Sequence, residues 1–254
     1  MTLPSPDPFA NPTVASITRH QSIRRYAPRP IDERTVEAII ASAQAAPTSS
    51  HKQAYSVIRV TDAHVRRQLA VVADDQEWVD EAPLFLVWCA DLYRIDRVLG
   101  AVGAAKAHDN VEEFVVATVD VTLAAAHAFV AAEALGLGGV MIGGLRNDPE
   151  AVTRLLRLPE LVFPIYGMCL GYPAEEPGLK PRLPRRLILH EDRYDRERIQ
   201  AEIGPYDEIV RRYYRERETN SRPTTWTSEM VRKFAEAQRP HLRRYLDSQG
   251  FHFE

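Results

Sequence analysis

Residues 114–135 are the longest apolar stretch of the chain, and whatever covers them decides the fold. Their length suits a membrane span, which takes about 20 residues. Asp120, His127 and Glu133 interrupt the run, however, and Glu112 and Glu113 stand just before it. Charge inside a bilayer is expensive, so the run reads as a buried core helix of a soluble, cytoplasmic protein. Gly136 closes it, a residue suited to a helix C-cap. A helix this apolar needs a sheet against it. Residues 84–90 form a continuous apolar run, as expected of a strand buried on both faces. Residues 55–60 and 163–170 are further strand candidates. Strands and helices together give an α+β class, with a central sheet and one very apolar helix packed across it.

Other signals punctuate the chain. Asp32 caps a helix whose Val36, Ile39, Ile40 and Ala43 recur at helical spacing. Residues 62–72 read as a short helix, 74–81 as a polar loop and 92–110 as an excursion over the surface. Asp148 and Pro149 are a capping residue and a first-turn proline. Two more helices are predicted at 205–217 and 228–248. Residues 1–16 are Pro-rich, without a basic start or an apolar segment, so they read as a disordered tail and not as a signal peptide or anchor. Residues 17–254 read as a single domain.

Lys and Arg number 32 and Asp and Glu 35, a net charge of −3 that is unevenly spread. Residues 1–179 carry −7 and residues 180–254 carry +4. The basic third suits an anionic ligand, or is a solvated face with local ion pairs. It has no dense basic run, which argues against nucleic acid. Cys89 and Cys169 sit in apolar runs and read as buried thiols, neither a disulfide nor a zinc site.

Metal-hydrolase, nucleophile-elbow, Walker and dinucleotide-fold motifs are absent, and no metal site is expected. Four other segments carry chemistry. In His20-Gln21-Ser22-Ile23-Arg24, a cation, a hydroxyl and a cation alternate and share one side if the chain is extended. Pro47-Thr48-Ser49-Ser50-His51-Lys52-Gln53 offers hydroxyls beyond a helix, or is a solvated turn. Gly143 and Gly144 follow Met141 and Ile142, and let a flat ligand approach the backbone. In Leu179-Lys180-Pro181-Arg182-Leu183-Pro184, prolines hold two cations at fixed spacing.

In this order and spacing the segments resemble the nitroreductase superfamily, in particular its oxygen-insensitive NADPH nitroreductases and NADPH–flavin oxidoreductases. The resemblance also includes Tyr213-Tyr214, Arg217, Trp226 and Gln238-Arg239-Pro240. It implies a mixed central sheet surrounded by helices, with a helical excursion and a C-terminal extension, in a homodimer that binds FMN non-covalently at its interface. His20, Ser22, Lys180 and Arg182 would hold the FMN phosphate and ribityl chain, and Arg24 the pyrimidine edge. Thr48, Ser50 and Gln76 would make polar contacts, and Met141, Ile142, Gly143 and Gly144 would pass along the ring. Gln21 belongs to the same set, standing where relatives carry Arg. Met141 replaces a Tyr and His51 a Phe. Arg217, Arg222 and Arg239 would meet the NADPH 2′-phosphate. No side chain is assigned as an acid or base, because the flavin carries the chemistry. The implied activity is ping-pong, two-electron reduction of nitroaromatics and quinones by NADPH. The alternatives are a flavin reductase supplying reduced FMN to a partner, and a non-catalytic flavin-binding protein.

Overall fold

The computed structural model describes residues 7–105, 110–217 and 221–253. The chain divides into two units, Met1–Glu176 with His241–Glu254, and Pro177–Pro240. One continuous domain over 17–254 was the expectation from the sequence.

In the first unit, strands β1 (Tyr55–Arg59), β2 (Leu84–Asp91), β3 (Gly138–Ile142) and β4 (Val162–Gly171) form one sheet in the order β1-β2-β4-β3. All three pairings are antiparallel, so the mixed sheet expected from the resemblance is not seen among these strands. A parallel bridge from Ser22 to Gly139 adds a segment beyond β3. Every residue of β2 is buried. Leu84, Leu86, Trp88 and Ala90 join a core with α2 (Glu33–Gln44) and α6 (Val111–Ala134). Phe85, Val87 and Cys89 join a second core with α3 (Ala63–Val72) and α7 (Pro149–Leu156). The alternation of a strand thus feeds two layers of helices. Pro164 lies within central strand β4, where the register shifts opposite Trp88 and Cys89. A bulge is one of the few places where a central strand tolerates proline.

Helix α6 is the apolar run, but it is not buried all round. Val116, Ala117, Val121, Ala124, Ala128 and Ala132 face the core, whereas Val111, Val115 and Val119 are 51, 48 and 48 % exposed. Gly136 follows it with φ 81°, as a left-handed cap requires. Cys89 faces Pro164 and Cys169 faces Phe85, four residues along the same pair of strands. That is roughly 13 Å, beyond disulfide reach. Burial pushes both thiols well above their ordinary range.

Several local expectations differ from the structure. Asn11 caps a helix, α1 (Pro12–Thr18), inside the segment read as a disordered tail; residues 1–6 lie outside the described residues. Residues 74–81 contain a short helix, α4 (Glu77–Glu81), and the 92–110 excursion contains α5 (Tyr93–Ala101). Residues 228–248 are not one helix. α10 (Trp226–Phe234) and α11 (Leu242–Ser248) are broken near Arg239, which has φ 52°, and Pro240. α11 packs in the first unit, where Tyr245 and Phe251 are buried. The second unit holds α8 (Arg185–Ile188), α9 (Glu197–Glu216) and α10. α9 begins well before Pro205, which lies inside it.

Candidate functional site

The segment from His20 to Ala27 is extended along the edge of β3. Ile23 N–H donates to the Gly139 carbonyl at 2.9 Å, and Ala27 N–H to the Tyr172 carbonyl at 2.8 Å. Ile23 is buried, and Gly138 seats it: a Cβ on Gly138 would lie 2.5 Å from Ile23 Cγ1. With Ile23 inward, strand alternation turns Ser22 and Arg24 to the other side, whereas the His20 ring lies against Glu133 and Phe129 of α6. Gln21 goes with Ile23. Together with Arg19, Glu133 and Glu175 they line a groove of about 390 Å³, so Gln21 is not grouped with Ser22 and Arg24.

Two carboxylates pin the segment. Glu175 Oε1 accepts from Arg24 N–H at 2.5 Å and Arg25 N–H at 3.0 Å. Glu133 Oε1 lies 2.7 Å from His20 Nδ1, and the imidazole meets Phe129 edge-on at 5.2 Å. Glu133 is one of the charges that interrupt the apolar helix. Asp120 is another: fully buried, it accepts from Ser49 N–H at 2.9 Å and Ala54 N–H at 3.1 Å. The Thr48–Ser50 hydroxyl loop is therefore hung from α6.

Arg24 and Gln76 meet through a residue that sequence reasoning missed. The Arg24 guanidinium lies 5.5 Å over the Trp78 ring, and Trp78 Nε1–H donates to Gln76 Oε1 at 3.1 Å. A lone tryptophan in the polar run 74–81 was the available signal.

On β3, Met141 is 39 % exposed between two buried neighbours. Ile142 is a correction: its side chain lies in the core, so only its backbone can meet a ligand. Gly144 is another. A Cβ there would lie 2.9 Å from Ala73 Cα, so this glycine is explained by close packing and needs no ligand. At Gly143 the nearest obstacle is the guanidinium tip of Arg146, at 3.3 Å, which donates to the Ile165 carbonyl.

The second unit gathers cations on aromatic rings. Tyr206, Val210 and Tyr214 form a small core with Leu183, Tyr213 and Trp226. Tyr206 Oη donates to the Pro181 carbonyl at 3.1 Å, fixing the Lys180–Arg182 loop on α9. Lys180 Nζ is 5.7 Å from the Tyr214 ring centre, with Arg217 Cζ at 5.6 Å and Arg222 Cζ at 4.9 Å. Burial pushes the Tyr214 phenol up, but its bond to Lys180 and the charges of Lys180 and Arg222 outweigh this and lower it. Arg222 also pairs with Glu229 at 3.2 Å. Neighbouring arginines are neutralised locally, Arg186 by Glu202, Arg198 by Asp195 and Arg211 by Glu208. Among the described residues, Lys180, Arg182 and Arg217 pair with no carboxylate. Cations left without a counter-ion suit phosphate. Arg239 lies beyond α10 at its left-handed position.

These donors fit FMN. In the first unit the hydroxyls of Ser22, Thr48 and Ser50 bond nothing among the described residues and Arg24 is exposed beside an aromatic ring; in the second unit, taken by itself, a stiff loop holds two cations that pair with no carboxylate among the described residues and suit a phosphate. Comparison with known proteins agrees. The model of the nitroreductase family matches residues 17–172, and that of the nitroreductase family, C-terminal domain, matches residues 180–254. The chain is 40% identical to an oxygen-insensitive NADPH nitroreductase of Salmonella typhimurium, covering 95% of this chain and 98% of that one. It is 37% identical to an FMN reductase (NADPH) of Bacillus subtilis, with the same coverage of both chains. Among solved structures, the NADPH:FMN oxidoreductase of Vibrio harveyi complexed with NAD+ superposes with a TM-score of 0.86 at 39% identity, over 94% of this chain and 98% of that one. Matched over nearly its whole length in sequence and in fold, the chain belongs to the nitroreductase family.

Proposed function

We propose that the protein is an FMN-dependent oxidoreductase that uses NADPH to reduce nitroaromatics and quinones. The observation that carries this reading is the 37 to 40% identity, over nearly the full length, to relatives named for NADPH with nitro or flavin reduction. FMN, when bound, supplies two-electron chemistry at its N5, so no side chain has to act as acid or base.

The protein's part is to bind and orient. Lys180 and Arg182, with His20 and Ser22, are assigned to the FMN phosphate and ribityl chain. Thr48, Ser50 and Gln76 supply polar contacts. Arg24 supplies positive charge, which favours a flavin that becomes anionic on reduction. The backbone at Met141, Ile142 and Gly143 borders the ring. Arg217, Arg222 and Arg239 take the NADPH 2′-phosphate. Each half-reaction uses the same face in turn, which predicts ping-pong kinetics. A homodimer is part of the same reading, and the half-exposed Val111, Val115 and Val119 give α6 an apolar stripe available to a partner. The proposed compartment is the cytoplasm.

A second reading has specific support, because relatives from Bacillus subtilis and Vibrio harveyi are named as an FMN reductase and an NADPH-flavin oxidoreductase. In that case free FMN is the acceptor. Steady-state assays decide between the two. A higher kcat/KM for a nitro compound than for free FMN supports the first reading, and the reverse order supports the second. Parallel double-reciprocal plots are expected; intersecting plots would reject the ping-pong scheme.

A further inference from the structure

The loop between α2 and β1 keeps a shape that its own residues disfavour. Ser50, His51 and Gln53 have φ of 49°, 59° and 51°, and none of them is glycine. Left-handed backbone at such residues persists only where the surroundings impose it. Here several contacts do. Asp120 accepts from Ser49 N–H on one oxygen and from Ala54 N–H on the other, so a single carboxylate fastens both ends of the turn. Further up α6, Glu113 pairs with Lys52 at 2.7 Å. On α5, Arg94 donates to the carbonyls of Gln53 and Tyr55, both at 3.3 Å.

The packing of the core explains none of this. Ser50, His51 and Gln53 are exposed, and the Thr48 and Ser50 hydroxyls bond nothing among the described residues. A leucine at 120 would suit the apolar helix better than a fully buried charge. The chain thus accepts a buried carboxylate and three strained residues in order to hold an exposed polar loop still. Holding binding groups still in advance lowers the cost of ordering them when a ligand arrives.

We infer that Asp120 is a positioning residue for the flavin: its carboxylate sets the 49–53 turn so that the Thr48 and Ser50 hydroxyls meet FMN ready-ordered. This rests on the flavin reading proposed above.

Asp120→Asn tests it with little change of shape. The amide keeps one acceptor and turns a donor toward the other N–H. Hydrogen exchange of residues 48–54 is measured in the FMN-free protein, and FMN affinity by fluorescence titration. Both exchange and the FMN Kd should rise roughly tenfold, the loss of one charge-assisted hydrogen bond. The visible circular dichroism of the bound flavin should also change. An unchanged Kd with faster exchange makes Asp120 merely structural and overturns the inference. A weaker Kd with unchanged exchange overturns it too, because the effect then does not pass through the loop. If Asp120→Asn does not fold, Lys52→Met removes the outer anchor and should move both readouts the same way by a smaller factor. No movement in either overturns the inference. Wild-type protein that takes up no FMN rejects the flavin reading itself, whereas wild type and variant that bind equally well reject this inference alone.

Discussion

In the first unit, the polar groups of the site are fastened by carboxylates of the same unit, Asp120 fully buried and Glu175 nearer the surface. Asp120, Glu133 and Glu175 each hold a backbone or side-chain group of the segments that face outward. In the second unit the fastening is lighter: Tyr206 Oη holds the Pro181 carbonyl, and Arg222 pairs with Glu229. Exposed Lys180 and Arg222 and the half-buried Arg217 lie against Tyr213 and Tyr214, and the prolines beside Lys180 and Arg182 supply the stiffness. The first unit mainly specifies shape, with Arg24 as an exposed cation, and the second supplies most of the charge. The two therefore answer differently to salt. Charges near solvent are screened within about 10 Å at 0.1 M salt and about 3 Å at 1 M, whereas the buried hydrogen bond from Ala54 to Asp120 is not.

Removing charge should have the largest effect. Lys180→Ala with Arg182→Ala removes two charge-assisted contacts, so FMN affinity should fall roughly 100-fold or more in titrations at low salt. The loss should shrink as salt is raised, unlike that of Asp120→Asn. A double variant that keeps its flavin tightly would break the division between the units. Next is Arg217→Ala. One lost contact to a 2′-phosphate is worth about 1.5–3 kcal/mol, so the KM for NADPH should rise roughly 10- to 100-fold. The KM for NADH should stay in place; equal changes in both would reject the 2′-phosphate role.

Gly144→Ala probes shape alone. Its Cβ would meet Ala73 backbone, and overpacking of this kind costs about 1–3 kcal/mol. Chemical denaturation should show that loss; wild-type stability would mean that the Ala73 contact yields.

The smallest effect is in the phenols. Burial is the main cause that pushes Tyr245 up to about 12, against a pull from Thr153, whereas Lys180 and Arg222 lower Tyr214 despite its burial. The ordinary value is about 10. The raised Tyr245 contributes stability that is intact below about pH 10 and lost as pH rises toward its folded value. The lowered Tyr214 contributes stability that is present above about pH 10 and lost as pH falls through its folded value. In an alkaline absorbance titration, Tyr214→Phe should therefore remove an early phenol step and Tyr245→Phe a late one. An early step that survives in Tyr214→Phe would break the contrast.

Much of this was legible in the sequence because it is local. Asp32 and Asp148 cap their helices by bonding to residues a few positions along. The all-buried β2 shows as an unbroken apolar run. Within His20-Gln21-Ser22-Ile23-Arg24, the alternation of Ser22 and Arg24 about the buried Ile23 is also local. What stayed hidden depends on partners far along the chain. Gly144 looks like a ligand-facing glycine until Ala73 is placed beside it. Asp120 and Glu133 read as interruptions of an apolar helix until Ser49, Ala54 and His20 supply their partners. The division into two units follows from packing that no periodicity encodes, and so does the return of α11 to the first unit.

The central claim is that a bound flavin on this chain accepts electrons from NADPH. Anaerobic stopped-flow absorbance of the purified, FMN-loaded protein tests it most directly. The visible flavin band should bleach on mixing with NADPH, and at least about tenfold more slowly with equal NADH, the discrimination of one charge-assisted contact. A band that NADPH leaves unbleached would contradict the account.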